Sequence, residues 1–253
     1  MAKLKLIYRL PLILGFIAIV SILINGLFFF IFMILSMTLF VFIWRPSYKL
    51  FILSAIIGSL LEIINLKTDG FLVGLYRYNV HPLIFGAIPV QLIIWWAIIV
   101  YISYTTVSAF FKNKIINLFL VPLLASMLEL VNEPVSADLH IITWIVKGTV
   151  ISWYGIPWTD FVGVYVGVFI IMALFYLLTR KEKAKSANKI MKNYPLLYLS
   201  YTFFYFILFI NSSIKSPVEY GFIIILLVVI ALFFASKYSD EIKQFLISYK
   251  EDD

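Results

Sequence analysis

Several acids stand where an apolar chain tolerates them least. Glu62 lies near the end of one long apolar run and Glu129 near the end of another, and Glu133, Asp138 and Asp160 lie in or beside the stretch that follows the second. An acid within a membrane span costs about 2.5 to 3.5 kcal/mol on insertion scales, so it usually faces a protein interior or a wet cavity. Glu62 and Glu129 are therefore the leading candidates for interior acids, the alternative being a place at the interface among headgroups and water. Glu129 and Glu133 are four residues apart and share one helix face if the helix reaches Pro134. Two carboxylates held close resist ionising together, which leaves a protonated acid beside an ionised base, a pair suited to acid-base work.

Aromatic residues keep these acids company in two patches. Glu62 to Pro89 contains Tyr76 and Tyr78 flanking Arg77, and Glu129 to Phe161 contains Trp144, Trp153, Tyr154 and Trp158. Trp and Tyr also gather at membrane interfaces as plain anchors, and that reading competes for each ring taken singly. A binding role is favoured by the acids and by the turns Gly86-x-x-Pro89 and Gly155-x-Pro157, which would hold the backbone in fixed loops. An aromatic wall also stabilises a developing cation by its π face, worth about 2 kcal/mol when desolvated.

Other chemistries find little support. The chain has no cysteine, which removes disulfides and thiolate metal sites, and its two histidines, His81 and His140, lack ligand spacing. No metal site and no cofactor is expected. Phosphate-cradling glycine strings and a Gly-x-Ser-x-Gly elbow are absent, as is an Asp-rich pair for a magnesium-bound diphosphate.

The elements that must position these residues are membrane helices. The chain is 63% hydrophobic and 13% charged, with a mean hydropathy of +1.04, where soluble domains carry roughly a quarter charged residues. Runs near the ~20 residues that cross a bilayer predict an all-α, polytopic transmembrane helix bundle. About eight spans are expected, near residues 10–24, 27–44, 50–64, 88–111, 115–131, 161–178, 195–210 and 218–235, with Asn25-Gly26 separating the first two. A cleaved signal peptide shares the basic start, but no Ala-x-Ala-like site follows it. With the N terminus cytoplasmic, sixteen of the twenty Lys and Arg fall inside and four outside, Lys67, Arg77, Lys147 and Lys215. Both termini are then cytoplasmic and both polar-aromatic patches share the other face. Residues 1–253 read as a single integral membrane domain ending in a polar cytoplasmic tail, 236–253, with helical spacing of Ile242, Phe245, Leu246 and Tyr249. The net charge of +7 is accounted for by orientation and anionic-lipid contact, so no nucleic-acid partner is expected and the bilayer is the implied one.

The order Glu62, Gly74-Leu-Tyr-Arg-Tyr78, Gly86-Ala-Ile-Pro89, Glu133-Pro134, Trp144, then Tyr154-Gly-Ile-Pro157 followed by Asp160-Phe161 resembles the membrane carotenoid biosynthesis family. Its known members are carotenoid 1,2-hydratases, including the bisanhydrobacterioruberin hydratase type. The resemblance spans about Leu60 to Phe175, and departs from the family's Asp-Pro at Glu133-Pro134 and from its Asn-Phe at Asp160-Phe161. It implies hydration of the terminal double bond of an acyclic carotenoid, in the cell membrane and without a cofactor. Glu62 or Glu129 would be the acid, Glu133 or Asp160 the water-orienting base, and Tyr76, Tyr78, Trp144 and Tyr154 the wall around the cation, with Arg77 and Asp138 nearby. A lycopene-type cyclase is the alternative within the same chemistry. A transporter or channel, against which stands the lack of a convincing internal repeat, and a structural membrane subunit are the alternatives outside it.

Overall fold

The computed structural model describes residues 2–21, 26–71, 73–145, 151–180, 194–210, 223–226, 228–230 and 232–233. Helices dominate: α1 (Ala2–Ser21), α2 (Gly26–Ile43), α3 (Ser47–Lys67), α4 (Val90–Phe110), α5 (Lys114–Asp138), α6 (Trp158–Leu178) and α7 (Pro195–Ile210), with residues 223–226, 228–230 and 232–233 also helical. Helices α2, α3, α4, α6 and α7 match the expected spans to within three residues, α1 begins eight residues earlier than expected, α5 runs seven residues further, and much of the expected span 218–235 lies outside the described residues. Four of them, α3 to α6, are long and apolar enough to cross a membrane, and the apolar described stretches of α1 and α2 are shorter. The tail 236–253 and the basic loop 181–193 lie outside the described residues.

Local chemistry sets the helix ends. Asn113 caps α5 by accepting from the Ile115 amide at 2.8 Å. Pro89 and Pro157 hold extended backbone just before α4 and α6. Pro122 and Pro134 lie inside α5, which nevertheless runs on to Asp138. Glu129 and Glu133 consequently stand one turn apart on that helix.

The loops after α3 and α5 are more ordered than the all-helical expectation implies. Each carries three short strands: β1 (Tyr76–Tyr78), β2 (Leu83–Ile84) and β3 (Ile88–Pro89) in the first, β4 (Ile142–Trp144), β5 (Ser152–Trp153) and β6 (Ile156–Pro157) in the second. Strands β2 and β3 form one hairpin and β5 and β6 another, while β1 pairs with β4 antiparallel, Tyr76 opposite Trp144 and Tyr78 opposite Ile142. Backbone N–H and C=O groups beside a bilayer need partners, and these ladders supply them. Both hairpins turn on two consecutive residues of positive φ, Phe85-Gly86 and Tyr154-Gly155, the backbone that matches strand twist.

The element order α3, strand, hairpin, α4 recurs as α5, strand, hairpin, α6. The segment Ser59-Leu-Leu-Glu-Ile-Ile-Asn65 aligns with Ser126-Met-Leu-Glu-Leu-Val-Asn132, and Ile88-Pro89 with Ile156-Pro157. Packing follows the same scheme: α3 lies against α4 as α5 lies against α6, and α3 against α6 as α5 against α4. Two units meeting through an antiparallel strand pair have the relation a two-fold rotation produces. The repeat escapes the sequence reading because interchangeable Leu, Ile, Val and Phe leave few identities to align.

Outside these units, Ser36 Oγ donates to the Pro11 carbonyl at 2.6 Å, joining α2 to α1. Tyr198 Oη donates to the Leu124 carbonyl at 2.7 Å, joining α7 to α5. Tyr101, Tyr194, Phe40 and Phe175 are among the largest fully buried side chains of the core.

Candidate active site

Strand β1 brings the two patches together. Tyr76 is buried, and its Oη donates to Glu62 Oε2, reaching from the first loop back to α3. Its ring lies 4.6 Å from that of Trp144 across the β1–β4 pair, and Trp144 Nε1 donates to Glu133 Oε2 at 3.2 Å. Tyr78 stands edge-on to Tyr76 at 5.6 Å on the same strand face. Burial, reinforced by the neighbouring Glu62 charge, pushes the Tyr76 phenol well above its ordinary range, so it remains a proton donor.

The remaining acids converge on this bridge. Glu129 is 4% exposed, accepts from Asn132 Nδ2 at 2.9 Å and is held by a side-chain hydrogen bond from Trp95. Asp160, in the first turn of α6, is 7% exposed, and its Oδ2 has no hydrogen-bond partner among the described residues. Glu133 lies within electrostatic reach of Asp160, Glu129 and Glu62, and Asp160 within reach of Glu129 and Glu62. Four carboxyl groups from three helices thus share one end of the bundle.

Other expected site residues lie elsewhere. Strand alternation turns Arg77 away from Tyr76 and Tyr78, opposite Thr143, and leaves it exposed. Tyr154 sits exposed at the tip of the β5–β6 hairpin, edge-on to Trp153 at 5.1 Å. Asp138 ends α5. His81 and His140 are exposed, and among the described residues no three of His, Asp and Glu converge as a metal would need.

Four participants, Trp95, Trp96, Asn65 and Asn132, were not singled out from sequence. Trp96 donates to Glu62 while Trp95 donates to Glu129, so one Trp pair on α4 serves both acids. Asn65, 1% exposed, pins the loop after α3 by donating to the Gly74 carbonyl at 3.0 Å and accepting from the Val73 amide at 3.0 Å. Both Asn65 and Asn132 follow a glutamate by three residues, the spacing that puts each pair on one helix face. That spacing was the available signal.

A cavity of about 190 Å³ opens between α3 and α6, lined by Leu61, Glu62, Asn65, Trp96, Asp160 and Gly167 among others. Close packing shapes its walls: a Cβ at Gly58 would lie 2.2 Å from the Trp96 ring, and one at Gly167 would lie 2.9 Å from Leu61 Cδ1.

Fold and site together define a membrane helix bundle with acids and aromatic rings clustered at one end beside an apolar cleft. The chain belongs to the carotenoid biosynthesis protein family, whose model matches residues 19–229, and its role lies in carotenoid biosynthesis. No curated protein and no solved structure matches it significantly.

Proposed function

We propose that the chain is an enzyme, a multi-pass protein of the cell membrane that adds water to the terminal trisubstituted double bond of an acyclic carotenoid. The observation that carries this reading is the bridge Glu62–Tyr76–Trp144–Glu133, which links two carboxyl groups through two aromatic rings in tilted contact. Hydration needs those parts. A carboxylic acid gives its proton to the less substituted alkene carbon, the π electrons form the new C–H bond, and a tertiary carbocation remains. The faces of Tyr76, Tyr78 and Trp144 shelter that cation. Water attacks it, its surplus proton passes to a second carboxylate, and the product is a tertiary alcohol; a proton transfer from the second carboxyl back to the first, directly or through water, readies the enzyme for the next turnover. Glu62 or Glu129 is the acid in this scheme, and Glu133 or Asp160 the base.

A lycopene-accumulating host expressing the chain tests the reading. Product heavier than lycopene by one water supports hydration. Product of unchanged mass supports cyclisation, in which an internal double bond captures the same cation. The repeated unit favours one further reading, since transporters are often built from repeats. Ion flux in proteoliposomes that follows Glu62 and Glu129, with no pigment change, would replace the enzyme by that.

A further inference from the structure

Glu62 and Glu129 are equivalent residues in the two units. Each is the sixteenth residue of its helix, counting from Ser47 and Lys114, and each is followed three residues later by an asparagine. Their surroundings differ in one respect that decides access. The helix lying against Glu129 is α4, whose sixth residue is Trp95 and whose tenth is Ile99. Across the units, the helix beside Glu62 is α6, whose sixth and tenth residues are Gly163 and Gly167, while α4 of its own unit reaches Glu62 through Trp96. Trp95 fills its position and hydrogen-bonds Glu129, whereas the two glycines border the open cavity that Glu62 lines.

The mouth of that cavity faces lipid. Val162 and Val166, both on its rim, are 59% and 48% exposed on a helix apolar enough to cross a membrane, and the stripe continues through Ile170 and Leu174. On α3 the neighbouring stripe is Ile56, Leu60 and Ile64. The floor holds Glu62 and Asp160, the latter more than nine-tenths buried with an oxygen lacking a partner among the described residues. An apolar passage from the bilayer that ends on two carboxyl groups suits a hydrocarbon whose last double bond is to be protonated.

Size sets what enters. A cavity of about 150 Å³ admits one benzene, so about 190 Å³ has room for a terminal isoprene unit. Resting on the hydration reading, we propose that one acyclic end of the polyene enters sideways between α3 and α6, past Val162 and Val166. Its terminal double bond then meets Glu62, while Glu129, sealed by Trp95 and Asn132, is a positioning residue. The rest of the polyene remains in the bilayer.

The test uses the full chain expressed in a lycopene-accumulating host and purified in nanodiscs, reading both converted pigment and pigment retained per protein by visible absorbance. Val162→Trp and Val166→Trp should cut retained lycopene and conversion at least tenfold, while Ile170→Trp and Leu174→Trp, further along the same stripe, should keep both within twofold. Glu62→Gln should abolish conversion yet retain lycopene, and Glu129→Gln should leave measurable conversion. Mouth variants that retain and convert lycopene as the parent does would overturn the lateral cleft. Conversion lost in Glu129→Gln but kept in Glu62→Gln would overturn the assignment of the acid. If the parent retains lycopene at the cleft without converting it, hydration fails and the cleft stands.

Discussion

The rings of Tyr76 and Trp144 lie 4.6 Å apart, and each donates a hydrogen bond to a different glutamate, Tyr76 to Glu62 and Trp144 to Glu133. The pair is at once the join between the two loops and the link between two acids. Removing either polar atom should therefore disturb chemistry more than fold.

Tyr76→Phe keeps the ring against Trp144 and removes the donor to Glu62. A hydrogen bond to a neutral carboxyl contributes about 0.5 to 1.5 kcal/mol, so conversion of lycopene should fall about two- to tenfold while yield of folded protein changes little. Pigment analysis beside the parent checks this, and unchanged conversion would count against Glu62 as a working group.

Trp144→Phe and Trp144→Ala separate the same two contributions on the other side. The Phe variant loses only the bond to Glu133, about 1 kcal/mol. The Ala variant also vacates the ring contact with Tyr76 and should lower the melting temperature in detergent clearly further. Equal melting temperatures would mean the ring pair contributes nothing to holding β1 on β4.

Asn132→Ala leaves the buried Glu129 carboxyl without its 2.9 Å donor. With Trp95 still donating to Glu129, the lost bond costs about 0.5 to 1.5 kcal/mol, and thermal unfolding should register it. Asn65→Ala should be destabilising too, by releasing the Val73 amide and the Gly74 carbonyl.

Gly58→Ala places a methyl 2.2 Å from the Trp96 ring. Overpacking of this kind costs about 1 to 3 kcal/mol, and because Trp96 donates to Glu62, conversion should drop with stability. A variant as stable as the parent would show that the ring has room to retreat.

Much of this architecture was legible because apolar runs of bilayer length admit few structures. The helices, the interior position of Glu129 and the meeting of the two patches all followed from where acids, basic residues and aromatics fall along the chain. The strand pairing that joins Tyr76 to Trp144 did not follow, since three-residue strands carry too short an alternation to read. Trp95 and Trp96 were hidden inside an apolar run, where nothing in their type separates lipid anchors from donors to buried acids. Tyr154 is grouped with the site by its neighbours in sequence, and the tight hairpin turn that carries it leaves its side chain exposed at the tip.

The two repeated units are joined covalently through Phe111, Lys112 and Asn113 alone, between the end of α4 and the start of α5. Every contact that assembles the acid cluster across the units is made through space, by strands and helix faces rather than by that connection. Two like units are thus written in one polypeptide, and residues 1–112 and 113–253, supplied as separate molecules to one membrane, should still bring the two halves of the cluster together.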